Sequence, residues 1–197
     1  SMPTLNETAY GGSWTPTTAL PANRASFNMA AINGRLYVVG GHDGTSARAE
    51  VYYADLNPAG GISGSWNTTS ASLPQALCRA ALVPVGSRLY AVGGAATCSN
   101  SNDVGSTLDT VLYGAMNSNG AIASWTSVTP LPLGLVVHGA VYAKSNIYVV
   151  GGSQTVAGVG YPQSRTYYAT VNSDGTLGAW KTSNSLPQPI VSAVVQV

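Results

Sequence analysis

One motif is written three times along the chain. It reads Leu-Tyr-Val-Val-Gly-Gly at residues 36–41, Leu-Tyr-Ala-Val-Gly-Gly at 89–94 and Ile-Tyr-Val-Val-Gly-Gly at 147–152. Each copy follows a Leu-Pro pair at the same interval, with 22 residues from the leucine to the second glycine. Self-similarity at a fixed period of tens of residues is the signature of repeat architectures, in which each unit packs on the next. The repeat therefore decides the architecture before any local motif is considered.

Each repeat begins with two apolar runs that a short polar break separates. The first run covers residues 25–32, 79–85 and 136–143, and the break falls at 33–34, 86–87 and 145–146. Two β-rich runs joined by a two-residue turn signal predict a hairpin. The pair Leu186-Pro187 opens a fourth copy.

Two further strands complete each repeat. The third is expected at residues 50–57, 110–117 and 166–172, and the fourth carries Trp66, Trp125 and Trp180. The N-terminal segment matches the end of a repeat, because Leu5-Asn6 and Trp14 align with Met116-Asn117 and Trp125. No segment shows a helical period of apolar residues, so the sequence predicts an all-β chain built of four-stranded antiparallel units.

Leu-Pro, the Leu-Tyr-Val-Val-Gly-Gly run, a tyrosine and a tryptophan in this order resemble kelch repeats, especially the bacterial kelch-like kind, over nearly the whole chain. The resemblance implies a kelch-type β-propeller with four-stranded antiparallel blades. We expect a single domain over residues 1–197, with three complete blades at about 20–70, 73–129 and 131–184. Partial strands are expected at 1–18 and 186–197.

A ring with three complete blades does not close, because propellers usually need four to eight. Open blades would leave strand edges and apolar flanks exposed. Either the chain is a piece of a longer array or identical chains complete the ring together. We expect self-association, most simply as a homodimer.

Composition narrows the classes of partner. Only 8% of the residues are charged and the formal net charge is +1, so no general field attracts nucleic acid or an anionic membrane. The sequence contains no run of about 18 apolar residues, so it predicts no membrane span.

Cys78 and Cys98 flank one predicted hairpin and fit either a disulfide or two thiols. An extracellular or cell-surface location is expected, and a cytoplasmic one stays open.

Topology places the variable loops at one end of the blades. In a four-stranded antiparallel blade, the loops after the second and fourth strands emerge on the same side. The loops after the second strand, at residues 42–48, 95–107 and 153–164, differ from one repeat to the next. We call this side the loop face. Variation on a rigid scaffold is where binding is usually built.

Polar and aromatic residues on the loop face are the candidate ligand-binding residues. Arginines suit carboxylates, and Tyr161 lies in a variable loop where its ring could stack on a ligand. His42 and Asp43 follow a double glycine and could orient a ligand, although Asp43-Gly44 is also a common turn signal. The candidates are Arg24, His42, Asp43, Arg48, Arg79, Asn102, His138, Tyr161 and Arg165.

Other polar and aromatic residues fit structural roles. His138 lies in an apolar run. We expect it to face the central channel of the propeller with its hydrogen bonds satisfied, rather than to be a metal ligand. Asn100, Asn102, Asp103 and Asp109 lack the spacing of a calcium loop, so no metal site is predicted. The tryptophans and the tyrosines that recur once per repeat are expected to pack between blades.

These features favour a non-catalytic recognition module that binds protein or carbohydrate, with no catalytic residue and no cofactor. Two enzyme alternatives follow from the kelch resemblance. An oxidase-like copper site would need two histidines and two tyrosines together, and the chain's two histidines lie in different blades. A mutarotase-like site would need an acid/base pair, for which His42 with Asp43 or Glu50 are available. A purely structural repeat spacer is the third alternative.

Overall fold

The protein folds entirely into strands, turns and loops in the regions that the structure describes. The structure is a computed structural model that describes residues 15–98 and 107–192. The strands are β1 Asn28–Ile32, β2 Arg35–Val39, β3 Val51–Leu56, β4 Ile62–Thr68, β5 Ala81–Val85, β6 Arg88–Val92, β7 Val111–Met116, β8 Ile122–Val128, β9 Gly139–Ala143, β10 Asn146–Val150, β11 Ser153–Val156, β12 Val159–Pro162, β13 Thr166–Thr170 and β14 Lys181–Ser183.

Three four-stranded antiparallel sheets form the blades. Blade 1 has the order β1-β2-β3-β4, blade 2 has β5-β6-β7-β8, and blade 3 has β9-β10-β13-β14. The first strands β1, β5 and β9 lie side by side, so each blade radiates outward from a common axis. The predicted fold, an all-β propeller of four-stranded blades in an open ring, is confirmed. Strands β11 and β12 form an additional two-stranded hairpin in blade 3.

The turn between the first two strands of a blade is tight. In blade 1, both central residues, Asn33 and Gly34, have positive φ angles of 51° and 72°. This is the type I′ geometry whose twist matches that of the flanking strands. In blade 3 the turn residues are Lys144 and Ser145, so the predicted break at 145–146 lies one residue too late.

The innermost strands begin later than their apolar runs predict. Ser26, Arg79 and Val137 occupy the same position in successive repeats, and all have φ near +50°. This left-handed residue ends the extended conformation and delays β1, β5 and β9 to Asn28, Ala81 and Gly139.

The left-handed residues also join the blades around the axis. The Arg79 amide donates to the Ser26 carbonyl at 3.1 Å, and the Val137 amide donates to the Arg79 carbonyl at 3.1 Å. Ser192, in the fourth repeat, continues the series with a bond of 2.7 Å to Val137. The backbone itself therefore forms a ladder of hydrogen bonds from blade to blade.

Apolar side chains fill the space between neighbouring blades. Between blades 1 and 2 the core contains Tyr37, Val51, Leu77, Leu89 and Ile122 among others. Between blades 2 and 3 it contains Val83, Tyr90, Leu135, Ile147 and Val149 among others. Side chains alternate along each strand, so one strand supplies both flanks of its blade.

The double glycines allow this close approach. The second glycine of each pair donates its amide to the next repeat, as Gly94 does to the Leu135 carbonyl at 2.7 Å. A Cβ atom on Gly93 would lie only 2.7 Å from the same carbonyl oxygen. No larger residue fits there without moving one blade away from the next.

Recurring aromatic rings pack between the blades, as their recurrence predicts. The Tyr37 and Tyr90 hydroxyls donate to backbone carbonyls of the following blade. The indole N–H of Trp180 donates to the Thr129 carbonyl at 3.0 Å, and that of Trp66 donates to Thr18. The buried Trp125 indole N–H has no partner in the described parts of the chain.

Both outer flanks of the described ring carry apolar side chains in contact with water. On blade 1, Phe27 is 36% exposed and Met29 is 57% exposed. On blade 3, Tyr148 is only half-buried, whereas its equivalents Tyr37 and Tyr90 are fully buried. Cys78 and Cys98 form a disulfide with a Cα–Cα distance of 6.5 Å.

Candidate functional site

A cavity opens on the axis at the loop face. Its volume is ≈ 330 Å³, and we call it the axial pocket. The backbone pairs Ala25 with His42 and Val136 with Ser153, which brings the starts of the first strands to the same end as the variable loops. The pocket is lined by Ser26, Phe27, Asn28, Arg79, Ala80, Val137, His138 and Ser192.

His138 is the buried polar side chain of this pocket. It is 5% exposed, and neither ring nitrogen has a hydrogen-bond partner within residues 15–98 and 107–192. The ring lies against blade 2, where a Cβ atom on Gly93 would be 2.8 Å from its Cε1 atom. The expectation that His138 is a channel-facing residue with satisfied hydrogen bonds stays a prediction; the structure shows the ring buried, with the Val92 carbonyl nearby.

Burial controls the charge of His138. It lowers the pKa of the imidazole to about 4, and the nearby Val92 carbonyl acts in the opposite direction with a smaller effect. At neutral pH the ring is therefore uncharged and has one donor and one acceptor nitrogen. Both nitrogens are buried beside the pocket.

Arg79 supplies positive charge to the same pocket. Arg79 and His138 are thus two predicted site residues that the fold brings together, one from blade 2 and one from blade 3. Asn28 lies beside them, 6% exposed, with its amide directed at the Val39 carbonyl at 3.5 Å. The pocket is lined by an arginine, a neutral histidine and an asparagine, a set of polar residues that suits a ligand with a carboxylate or hydroxyl groups.

Arg24 has a different environment from the one predicted. Its side chain is only 3% exposed and forms an ion pair with Glu50 at 3.2 Å. It also donates to the Tyr52 hydroxyl at 3.0 Å and lies 5.2 Å from the centre of that ring. The terminal nitrogen of the guanidinium is paired within blade 1, whereas Nε has no hydrogen-bond partner among the described residues. Arg24 is not among the residues that line the axial pocket, so the structure points to a packing role for it.

The loop at residues 42–48 is a closed turn. The Asp43 carboxylate accepts hydrogen bonds from the amides of Thr45 and Ser46, both at 2.9 Å, and from the Arg48 side chain. The Gly44 amide donates to Nδ1 of His42 at 3.1 Å. Of the two interpretations of Asp43-Gly44, the structure shows the turn.

These bonds fix the protonation state of Asp43. The amides of Ser46 and Thr45, followed by the Arg48 guanidinium, hold the pKa of the carboxyl well below its usual range. The same contact raises the pKa of Arg48. An Asp43 that stays ionised at neutral pH has no proton to give, which removes it as the acid of an acid/base pair.

The remaining predicted residues lie around blade 3 or outside the described ranges. Tyr161 is on β12 and is 50% exposed. Arg165 is exposed and donates to the Tyr167 hydroxyl at 3.3 Å, a contact that raises the pKa of the guanidinium. Asn102 falls outside the residues that the structure describes.

The sequence did not single out Ser26, Phe27, Asn28, Val137 and Ser192 as pocket residues. All but Asn28 occupy the sixth or seventh position after the leucine of a Leu-Pro pair, as Arg79 and His138 do. Aligning these positions in all four repeats would have found most of the pocket.

The described residues contain neither a cluster that could hold a metal ion nor a helix that could span a membrane. No three His, Cys, Asp or Glu side chains in residues 15–98 and 107–192 converge where they could hold a metal ion. In the same ranges, no helix has the length and apolar character that a membrane span requires.

Comparisons with known proteins match this architecture. The kelch motif model matches residues 23–53. Kelch-like protein 35 of Mus musculus is 27% identical over 184 residues, which cover 93% of this chain and 27% of that protein. The chain therefore spans about a quarter of the length of that relative. The solved structure of YjhT has a TM-score of 0.71 at 14% identity, covers 92% of this chain and 62% of its own, and has the same fold.

Proposed function

We propose that this chain, which matches the kelch motif over residues 23–53, is a non-catalytic recognition module for a partner protein, since kelch repeats generally mediate protein interactions. The partner binds at the loop face and places a polar group in the axial pocket. One observation carries the proposal: buried His138, whose ring nitrogens form no hydrogen bond of good geometry within the described residues, lines the same pocket as Arg79. Burying a polar group without a hydrogen bond is costly, and a ligand that supplies the bond recovers that cost.

The state of the other candidate groups supports binding over catalysis. Asp43 is held ionised by Arg48 and two amides, and Glu50 pairs with Arg24. These carboxylates were the acid/base candidates for a mutarotase-like site, and each already has a cationic partner in the protein.

An array of peptides and glycans probed with the purified domain tests the proposal. Binding to peptides should fall about tenfold or more in His138→Ala, since one lost hydrogen bond in a buried site costs about that much. Alanine is the residue that blade 2 has at this position, so the variant should fold. His42→Ala, in the closed turn, is the matched control and should bind like the wild type. Binding that His138→Ala leaves intact, or turnover of an arrayed sugar, would contradict the proposal.

We also propose that a second copy of the chain covers the open flanks. Phe27 and Met29 on blade 1 and Tyr148 on blade 3 contact water at positions that are packed against a neighbour elsewhere in the ring. Sedimentation at increasing concentration should show a dimer that Met29→Glu dissociates and Val159→Ser leaves intact. A strict monomer at high concentration would overturn this part of the proposal.

The disulfide supports a location for the module. Disulfides persist in oxidising compartments and are rare in the cytosol, so the Cys78–Cys98 bond favours an extracellular or cell-surface role. Alkylation of cell extracts before reduction should find both cysteines protected. Free thiols in the native protein would contradict this location.

A further inference from the structure

The hairpin β11–β12 has an apolar face that no described residue covers. Its register pairs Val156 with Val159 and Gln154 with Tyr161. Because side chains two residues apart point to the same side of a strand, these four share one face. Val156, Val159 and Tyr161 are 50%, 54% and 50% exposed, respectively. We call this surface the hairpin face.

The hairpin face is not part of the folding core. An isolated two-stranded hairpin is only marginally stable in water, so this one depends on its base. There Ser153 and Val136 exchange two backbone bonds of 2.9 Å, and the Gln163 amide donates to the Gly152 carbonyl at 2.8 Å. These bonds join the hairpin to blade 3 through its backbone and leave the hairpin face in water.

We propose that the hairpin face seats an apolar segment of the partner protein and that a carboxylate of this segment pairs with Arg165. The proposal rests on the recognition function above and names where on the loop face the partner makes its apolar contacts. It adds a second contact region to the axial pocket.

The edges of the hairpin do not suit the addition of a partner strand. On the β11 edge, Ser153 is already bonded to Val136, and the Thr155 amide donates to the Thr107 hydroxyl at 3.3 Å. The β12 edge contains Pro162, which has no amide to donate. Proline at an edge is a common means of preventing strand pairing. A partner therefore binds through side-chain packing on the hairpin face.

Charge favours an acidic partner segment. Residues 153–164 contain no charged side chain, and Arg165 follows directly. The ion pairs in the described parts of the chain are Arg24 with Glu50, Arg35 with Asp55 and Arg48 with Asp43. The exposed Arg165 takes part in none of these ion pairs, and its guanidinium donates to the Tyr167 hydroxyl. An arginine that follows the hairpin within a few residues of Tyr161 suits a segment that carries both apolar residues and an Asp or Glu.

The hairpin face is too small to form a stable interface with a second copy of the chain. Three half-exposed side chains offer on the order of 300 Å² of surface, whereas a stable dimer buries about 800 Å² on each partner. Two copies meeting face to face would also bring like charges on Arg165 together. A short segment that continues into the axial pocket can bury more area than the hairpin face alone.

Selection from a phage-displayed random peptide library on the immobilised domain tests the proposal. Enriched peptides should combine apolar residues with Asp or Glu. They should bind about tenfold or more weakly to the triple variant Val156→Ser, Val159→Ser and Tyr161→Ser. These side chains are exposed, so the variant should fold, and its urea midpoint verifies this. Ala123→Ser, at an exposed residue on the outer strand of blade 2, is the control and should bind normally.

A charge cycle tests the role of Arg165. Arg165→Gln should lower the affinity for an acidic peptide several-fold. It should leave the affinity for the Asp→Asn or Glu→Gln analogue of that peptide unchanged. Equal losses for both peptides, or enriched peptides without acidic residues, would overturn the pairing with Arg165. Peptides that lose affinity in His138→Ala and keep it in the triple variant would overturn the hairpin face while supporting the axial pocket. If the wild type enriches no peptide, both proposals fail.

Discussion

The Tyr90 hydroxyl donates a hydrogen bond of 2.7 Å to the Gly175 carbonyl, which joins the second strand of blade 2 to the turn between the last two strands of blade 3. The same bond, also 2.7 Å long, joins Tyr37 to Gly120 across the preceding interface. Burial raises the pKa of Tyr90 to about 12, so the hydroxyl keeps its proton at any physiological pH. The recurring tyrosine is therefore a fixed donor between blades.

Tyr148 is the equivalent of Tyr37 and Tyr90 in blade 3, and it provides a control for this bond. Tyr90→Phe should lower the free energy of unfolding by about 1–2 kcal/mol, because a buried carbonyl loses its donor. Tyr148→Phe should change it by less than about 0.5 kcal/mol, since this half-buried hydroxyl has no bond in the described part of the chain. Urea unfolding of both variants measures the difference. Equal losses would mean that the bond across the interface contributes nothing.

Alanine substitutions at Gly86 and Gly93 distinguish the cost of backbone strain from the cost of a steric clash between blades. Gly86 and Gly93 have φ angles of 58° and 62°, but a Cβ atom meets nothing within 4 Å at Gly86 and lies 2.8 Å from the His138 ring at Gly93. Alanine should cost about 1–2 kcal/mol at Gly86 through backbone strain alone. At Gly93 it should cost a further 1–3 kcal/mol or so through overpacking. Thermal unfolding measures both variants. Equal stability would contradict the close contact of Gly93 with blade 3.

The pair of buried Arg24 with the partly exposed Glu50 can be exchanged for the residues of blade 2. Leu77 and Thr110 occupy the equivalent positions there. Glu50→Thr alone should destabilise the protein by about 2 kcal/mol, because Arg24 keeps a buried charge without its partner. Adding Arg24→Leu should restore the stability or exceed it, since replacing a buried ion pair by apolar residues is often neutral or favourable. A double variant as unstable as the single one would show that the pair itself is required.

His138 makes stability depend on pH. Its pKa is lowered to about 4 from an ordinary value of 6.5, so below pH 6.5 the unfolded chain binds a proton that the folded protein does not. Stability should therefore be full above pH 6.5 and fall by about 3 kcal/mol as the pH decreases to about 4. In His138→Ala this dependence should be smaller by that amount. Urea unfolding at several pH values tests it, and parallel curves for both proteins would contradict burial of the imidazole.

Local repeat signals predicted most of the fold. The Leu-Tyr-Val-Val-Gly-Gly runs became β2, β6 and β10, and the tryptophan segments gave β4 and β8, because alternating apolar residues and glycine turns act over short distances. The strand starts were missed at Ser26, Arg79 and Val137. Their left-handed conformation depends on bonds to the neighbouring blade, which no single repeat contains.

The candidate site was only partly predictable for a similar reason. Arg79 and His138 were singled out, yet Arg24 was not recognised as a packing residue, because its partner Glu50 lies on another strand of the blade. The hairpin β11–β12 was taken for a loop, since Pro162 and the glycines of residues 153–164 obscure two short strands. Its turn signal, Ala157-Gly158, is weaker than Asn-Gly or Asp-Gly.

The most direct test of the radial arrangement of blades is amide hydrogen exchange at Arg79 and Val137. Both amides lie outside the strands, and each donates to the preceding blade at 3.1 Å. If the blades surround a common axis, these amides should exchange as slowly as those within β6, while the amide of Gly158 at the tip of the exposed hairpin exchanges rapidly. Exchange at Arg79 and Val137 as fast as at Gly158 would contradict the account.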